Sequence, residues 1–406
     1  MKKTAVIILI FSAAEIFSYP FTVPYFNEEF FLYPYLNYDQ SLEWKRTREG
    51  HLYEGGIVQT THGSLTTYDL MHSVEALINT PIGDDITFRF SYKNNENRHL
   101  SYKENSISTG FGYKINENIR ISTETELPYE KALTDIEPGV LFTFQSVYAY
   151  FGLNFNDVLF EQKDIGGGVN NTTPLTLSTD IRFSFSRIYF FISGNYGTGT
   201  DRSWTANYYT DKLSQKDHNR NLYARIEYDL KDYLKVYTEN YFDDFYDETV
   251  LKDSLLDISA YKFTAKQSFS RIGSIFCSGE KNIFDLGLGY AVTEHDFDLI
   301  GGQALTNGHA QSYTIKYPAL LPYVIYRYRF NTKFTAETAY MGSYTVNEPD
   351  DNYYFANLGE KYWDKDLIKL GLEYRFSPNS SLYISAGQLI NTGVFGGGNA
   401  RFNLFF

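Results

Sequence analysis

Hydrophobic and polar residues alternate at every second position through most of this chain. In Leu175–Ser186 ("LTLSTDIRFSFS"), Leu175, Leu177, Ile181, Phe183 and Phe185 share one parity, and Thr176, Ser178, Asp180, Arg182 and Ser184 share the other. Successive side chains of a β-strand point to opposite faces, so the stretch predicts a two-faced strand. "ITFRFSYK" (86–93), "LYARIEYDL" (222–230) and "LIKLGLEYRF" (367–376) repeat the pattern. Soluble sandwiches alternate too, but here the polar face is charged strand after strand.

The connections are lopsided. Very short turns are expected near Pro81–Asp85, Asn116–Asn118, Gln145–Ser146, Ser186–Arg187, Lys231–Asp232, Gly279–Asn282, Asn331–Thr332 and Pro378–Ser380. Between them fall mostly longer polar connections at 157–172, 200–218, 245–256, 297–310 and 344–366, and "NTGVFGGGN" (391–399) precedes the last strand. Short turns alternating with long loops are the rhythm of an antiparallel transmembrane β-barrel with short periplasmic turns and long extracellular loops. Strands counted against this rhythm number about 17 from Ser64 onward; one near Leu52–Thr61 makes about 18, with about 16 as the fallback, since an even count is expected. Two of them, 257–279 and 311–330, are longer than the ~9–11 residues a span needs. They should project beyond the bilayer, with Pro318 and Pro322 above it, where a ladder can be broken.

Composition sharpens the picture. Of 406 residues, 37 are Tyr and 33 Phe, yet the chain is only 43% hydrophobic, as expected when each strand has one lipid-facing side. The net charge of −13 argues against a nucleic-acid partner, which needs clustered Lys and Arg. Cys277 is the only cysteine, so there is neither an internal disulfide nor a cysteine metal cluster. Lys2 and Lys3 before the apolar run Ala5–Ala14 read as an export signal over residues 1–18, with small residues permitting cleavage after Ala14 or Ser18. Residues 19–50, rich in Pro and aromatics, read as a periplasmic tail, a lumen insert or in part a strand (37–46). The barrel then occupies 51–406.

Parity assigns an inner face. Its basic candidates are Arg89, Arg120, Arg182, Arg225, Lys235, Lys262, Lys266, Arg327, Arg329, Lys333, Lys369 and Arg375. Its acidic candidates are Glu75, Glu124, Glu126, Asp180, Glu227, Glu239, Glu337 and Glu373. The basic surplus predicts a mild anion preference for a water-filled pore. It places the excess negative charge in loops such as "FDDFYDE" (242–248) and "NEPDD" (347–351). The bland alternative is that these charges pair across strands and stiffen the wall. No P-loop, nucleophile elbow or HExxH helix occurs. "GGGVN" (166–170) and "FGGGN" (395–399) read as flexible loops. His295 with Asp296 is explained as well by a loop at the membrane surface as by an enzyme, so no catalytic residue, metal or cofactor is assigned.

With its signal peptide, alternating strands, sorted turns and closing "ARFNLFF", the chain resembles a bacterial outer-membrane porin. The resemblance covers nearly all of the mature chain as architecture rather than as a specific motif. It implies that Phe402, Leu404 and Phe406 form the signal read by the barrel-assembly machinery. It implies a location in the outer membrane among lipid and lipopolysaccharide, as one chain or a homo-oligomer, and passive passage of small polar solutes. The other readings are a non-conducting barrel that adheres through its external loops, and a hydrophobic-substrate channel with an N-terminal hatch.

Overall fold

The computed structural model describes residues 55–64, 69–97, 102–128, 133–144, 146–160, 168–205, 212–252, 259–300, 311–345, 365–377, 380–390 and 395–405. The expected signal segment, residues 19–50, "NEPDD" and Phe406 lie outside the described residues.

Twenty strands form one antiparallel sheet. The first seven are β1 (Gly55–Ser64), β2 (Asp69–Pro81), β3 (Ile86–Asn97), β4 (Tyr102–Asn116), β5 (Ile119–Pro128), β6 (Asp135–Phe144) and β7 (Val147–Phe155). Next come β8 (Val169–Asn170), β9 (Leu175–Phe185), β10 (Ile188–Gly197), β11 (Thr200–Thr205), β12 (Lys212–Lys231) and β13 (Leu234–Lys252). The rest are β14 (Ser259–Ser278), β15 (Asn282–Ile300), β16 (Gln311–Arg329), β17 (Phe334–Thr345), β18 (Lys365–Ser377), β19 (Ser380–Leu389) and β20 (Phe395–Phe405). Strands adjacent in sequence pair as hairpins, except that β7 pairs with β9 and β10 with β12. The short β8 and β11 pair with each other, and β11 with the far end of β12. β1 pairs with β2 along one edge and with β20 along the other.

Burial is inverted relative to a water-soluble sheet. On β18, Leu367, Lys369, Gly371 and Glu373 are buried, while Ile368, Leu370, Leu372 and Tyr374 are exposed. Phe185 is 63% and Leu372 51% exposed, against 4% for Arg182 and 5% for Glu373. Two stacked sheets sharing an apolar interior would give the opposite values. An apolar face turned outward and a charged face turned inward is the arrangement that lipid around the sheet requires.

The short turns fall where the alternation places them, for example between β9 and β10 at Ser186–Arg187. There Ser186 takes a φ of 54°, and in the β14–β15 turn Gly279 takes 65°. Several long connections are shorter than expected. "FDDFYDE" is not a loop but part of β13. Two of its four acids sit opposite bases on both sides: Asp244 faces Arg220 and Lys266, and Glu248 faces Lys216 and Lys262. Opposite charges across a ladder hold a strand that composition alone reads as solvent loop. The row continues outward-facing as Arg220–Asp244–Lys266–Glu294–Lys316 across β12 to β16. Lys262 and Lys266 are therefore on the exposed parity, not on the inner face assigned from sequence. The 200–218 connection likewise contains β11 and the start of β12, and "FGGGN" opens β20, with Gly398 paired to both β19 and β1. Pro318 and Pro322 lie within β16. The ladder to β17 skips Leu321 and Pro322 and resumes in the same register.

Inside the sheet, Tyr237, Gly273, Gly287 and Tyr323 are consecutive cross-strand partners. The two tyrosines lie over the two glycines, an aromatic covering of otherwise bare backbone. A Cβ on Gly287 would meet Tyr323 Oη at 2.7 Å, Gly273 Cα at 2.9 Å and the Ile272 carbonyl. Backbone cannot yield, so Gly287→Ala should lower stability by about 1–3 kcal/mol. Urea unfolding of the refolded protein in micelles measures this; an unchanged midpoint contradicts it.

Candidate functional site: the inner face

The inner face has a filled half and an open half. The filled half spans β12 to β19. Its inward positions carry large side chains, so Tyr237, Phe269, Ile275, Ile283, Tyr323, Ile325, Met341 and Leu367 form one buried cluster. Ile325, Met341 and Asp285 have no exposed surface. Charges are threaded through it in pairs. Glu239 accepts from both Arg225 and Arg271, and from Tyr223 Oη at 3.0 Å. Arg225 Nε donates to Glu227 at 2.6 Å, and Lys235 Nζ reaches the other Glu227 oxygen at 2.5 Å. Tyr237 Oη donates to Asp285 at 2.8 Å. Arg327 Nε and Tyr383 Oη both donate to Glu337 at 2.7 Å. The guanidinium of Arg225 lies 4.2 Å from the Tyr237 ring centre, and that of Arg271 lies 4.8 Å from Tyr323, adding cation–π attraction where water is absent.

The open half spans β3 to β12. Here one cross-strand row consists of Thr87, Gly112, Ser122 and Gly139, continued by Gly152, Ser178, Asn195 and Asn221. Eight strands in succession place a small or short polar residue at one level. Gly139 and Gly152 are covered by Tyr150 and Glu137, and beside Gly112, Ser122, Ser178, Asn195 and Asn221 lies a cavity of about 480 Å³. The neighbouring row supplies its charges. Arg89 Nη1 pairs with Glu124 at 3.2 Å. Glu137 accepts from Tyr150 Oη at 2.5 Å and Ser178 Oγ at 3.1 Å. Asp180, on the cavity wall, accepts from Arg182 at 3.1 Å, and Arg182 in turn lies 4.7 Å from the Tyr148 ring centre.

The sequence-derived residues divide between these halves. Arg89, Arg120 and Glu124 line the cavity. Arg182, Arg225, Glu227, Arg327, Lys369 and Glu373 are buried in the wall. Lys235 is half-buried on Glu227; Arg375 is half-exposed on Glu373; Arg329 lies exposed at the end of β16 and Lys333 in the turn that follows. Phe402 and Leu404 are half-buried in β20, and His295 and Asp296 fall within β15.

Arg271, Asp285 and Glu137 were not picked out by sequence. The reason is physical for Arg271. The inner side of β14 also carries Phe269 and Ile275, so hydrophobicity points to the wrong face, and parity then selects Lys262 and Lys266. Among the fully buried charges of the described strands there is no basic surplus. Buried cations on strands are Arg182, Arg225, Arg271, Arg327, Lys369 and Arg401, matched by Asp180, Glu227, Glu239, Asp285, Glu337 and Glu373. An anion preference has no support in this balance.

An antiparallel sheet of this kind, apolar outside, charged within and with its first and last strands paired, has the arrangement that the wall of a transmembrane β-barrel requires. No family model and no curated protein matches the sequence. Among solved structures, the chain is similar to the ferric citrate transporter FecA at 10% identity and a TM-score of 0.40, with 82% of this chain and 51% of that one covered. The chain thus spans about half the length of that protein. A loop-deleted OmpT, an outer membrane protein of Vibrio cholerae, is 12% identical with a TM-score of 0.38, over 86% of this chain and 99% of that one. The CymD monoaromatic hydrocarbon channel is 9% identical with a TM-score of 0.31, over 90% and 92%. Likenesses this distant carry no functional argument, which rests on the two faces of the sheet.

Proposed function

We propose that the protein is a porin-like channel for passive diffusion of small polar solutes, a closed outer-membrane barrel of eighteen strands with β8 and β11 as side pieces. The observation that carries the reading is the pairing of inverted burial with a polar cavity on the inner face. The pairing of β1 with both β2 and β20 supports closure, which removes sheet edges that lipid could not satisfy. Membrane lipid, lipopolysaccharide and the barrel-assembly machinery are its proposed partners, and the reading assigns no catalytic residue. Folded protein added to a planar lipid bilayer should produce stepwise ion currents. Folded protein that inserts without current would instead favour a non-conducting barrel acting through its external loops. That second reading draws on the filled half of the interior, where Asp285, Ile325 and Met341 have no exposure.

A further inference from the structure

The geometry points to the cavity between β3 and β12 as a binding site for a small neutral polyhydroxylated solute of about hexose size, with passage confined to that half of the interior. The inference rests on the pore reading and narrows it to a substrate class and a path.

The path follows from side-chain volume. The filled half offers no room, since its inward residues are Tyr, Phe, Ile, Met and Leu tied together by charge pairs. Room appears where Gly112, Ser122, Ser178, Asn195 and Asn221 meet at one level. Its volume of about 480 Å³ lies within the ~300–1,000 Å³ of small-molecule sites.

The class follows from the charges and their commitments. Arg89 and Arg120 face Glu124, Glu137 and Asp180, so an organic anion meets more carboxylates than cations. An organic cation fares no better, because each carboxylate is already engaged: Glu124 by Arg89, Glu137 by Tyr150 and Ser178, Asp180 by Arg182. What remains is hydrogen-bonding capacity without net charge. Asn195 and Asn221 present amides to the space, with Asn221 Oδ1 also accepting from the Asn195 N–H at 3.3 Å, and Thr176 and Ser122 present hydroxyls, that of Thr176 also accepting from Asn156 at 2.8 Å. The side-chain oxygen of Asn154, also on the cavity wall, is buried and has no hydrogen-bond partner. Arg120 makes no ion pair among the described residues and adds a fork of donors. A sugar hydroxyl both donates and accepts, and amides and hydroxyls side by side match that dual role.

The test uses three probes with one carbon skeleton: glucose, sodium gluconate and protonated glucosamine. Each is added to the protein conducting KCl in a planar bilayer. Glucose should reduce the current in a concentration-dependent way, at concentrations about tenfold lower than either charged probe needs. Asn195→Leu with Asn221→Leu should shrink that glucose-to-gluconate ratio toward unity. The parent protein's own ratio decides the matter should the variant not fold. Gluconate or glucosamine acting as well as glucose overturns the neutral-solute site while leaving the pore reading intact. Absence of any current from folded protein overturns the pore reading instead. Equilibrium dialysis of labelled glucose against the protein in micelles then judges the site alone, and no saturable binding overturns it.

Discussion

Replacing Ile272 with arginine will destabilise the protein in a bilayer by about 2–4 kcal/mol, the cost of a cation on the lipid face of a barrel near its midplane. Ile272 is 71% exposed, the most of any large apolar side chain described, and lies well inside β14 with Ser270 and Ser274 beside it on the same face. Were that face in water, the same change would fall within about ±0.5 kcal/mol. The two surroundings therefore give answers that differ several-fold. Urea titration of the protein folded into phospholipid vesicles reads the difference. A neutral result would remove lipid from the outer face.

Glu239→Leu is expected to cost about 3–5 kcal/mol, because it leaves two buried cations without their shared counter-charge. Arg225 and Arg271 each keep only 1% of their side-chain surface exposed, and both point at the two oxygens of Glu239. Glu227 still reaches Arg225, so the larger loss falls on Arg271. Replacing the three together (Arg225→Met, Glu239→Leu, Arg271→Met) should recover most of the loss, since an apolar set of similar volume needs no desolvated charge. The unfolding midpoints of the parent, single and triple variants measure this. A triple variant no more stable than the single would mean that the network contributes more than mutual neutralisation.

The sequence made the strands and their turns legible because period-two alternation and short polar breaks are local signals. The turns at Ser186–Arg187 and Lys231–Asp232 fall where that pattern stops. Three features were not legible, each for a reason outside local pattern. "FDDFYDE" looks like loop until Arg220, Lys266 and Lys262 are seen across the ladder. The inner face of β14 is itself partly apolar, so hydrophobicity misassigns its parity. The cavity depends on Gly112, Ser122 and Ser178, apart in the chain and brought to one level only by strand register.

Strand length varies around the sheet. β12 to β16 run 19–20 residues, whereas β5, β6, β7, β9 and β10 run 9–11. At ~3.3 Å per residue the longer group is about 30 Å longer along the strand, and rises less than that because barrel strands are tilted. Its upper outward surface carries the alternating row from Arg220 to Lys316, chemistry suited to water and headgroups rather than acyl chains. Among the described residues the wall is therefore tall from β12 to β16 and low from β5 to β7, and the low stretch is part of the flank that holds the cavity. On the channel reading proposed above, the vacant space and the shorter wall share one flank.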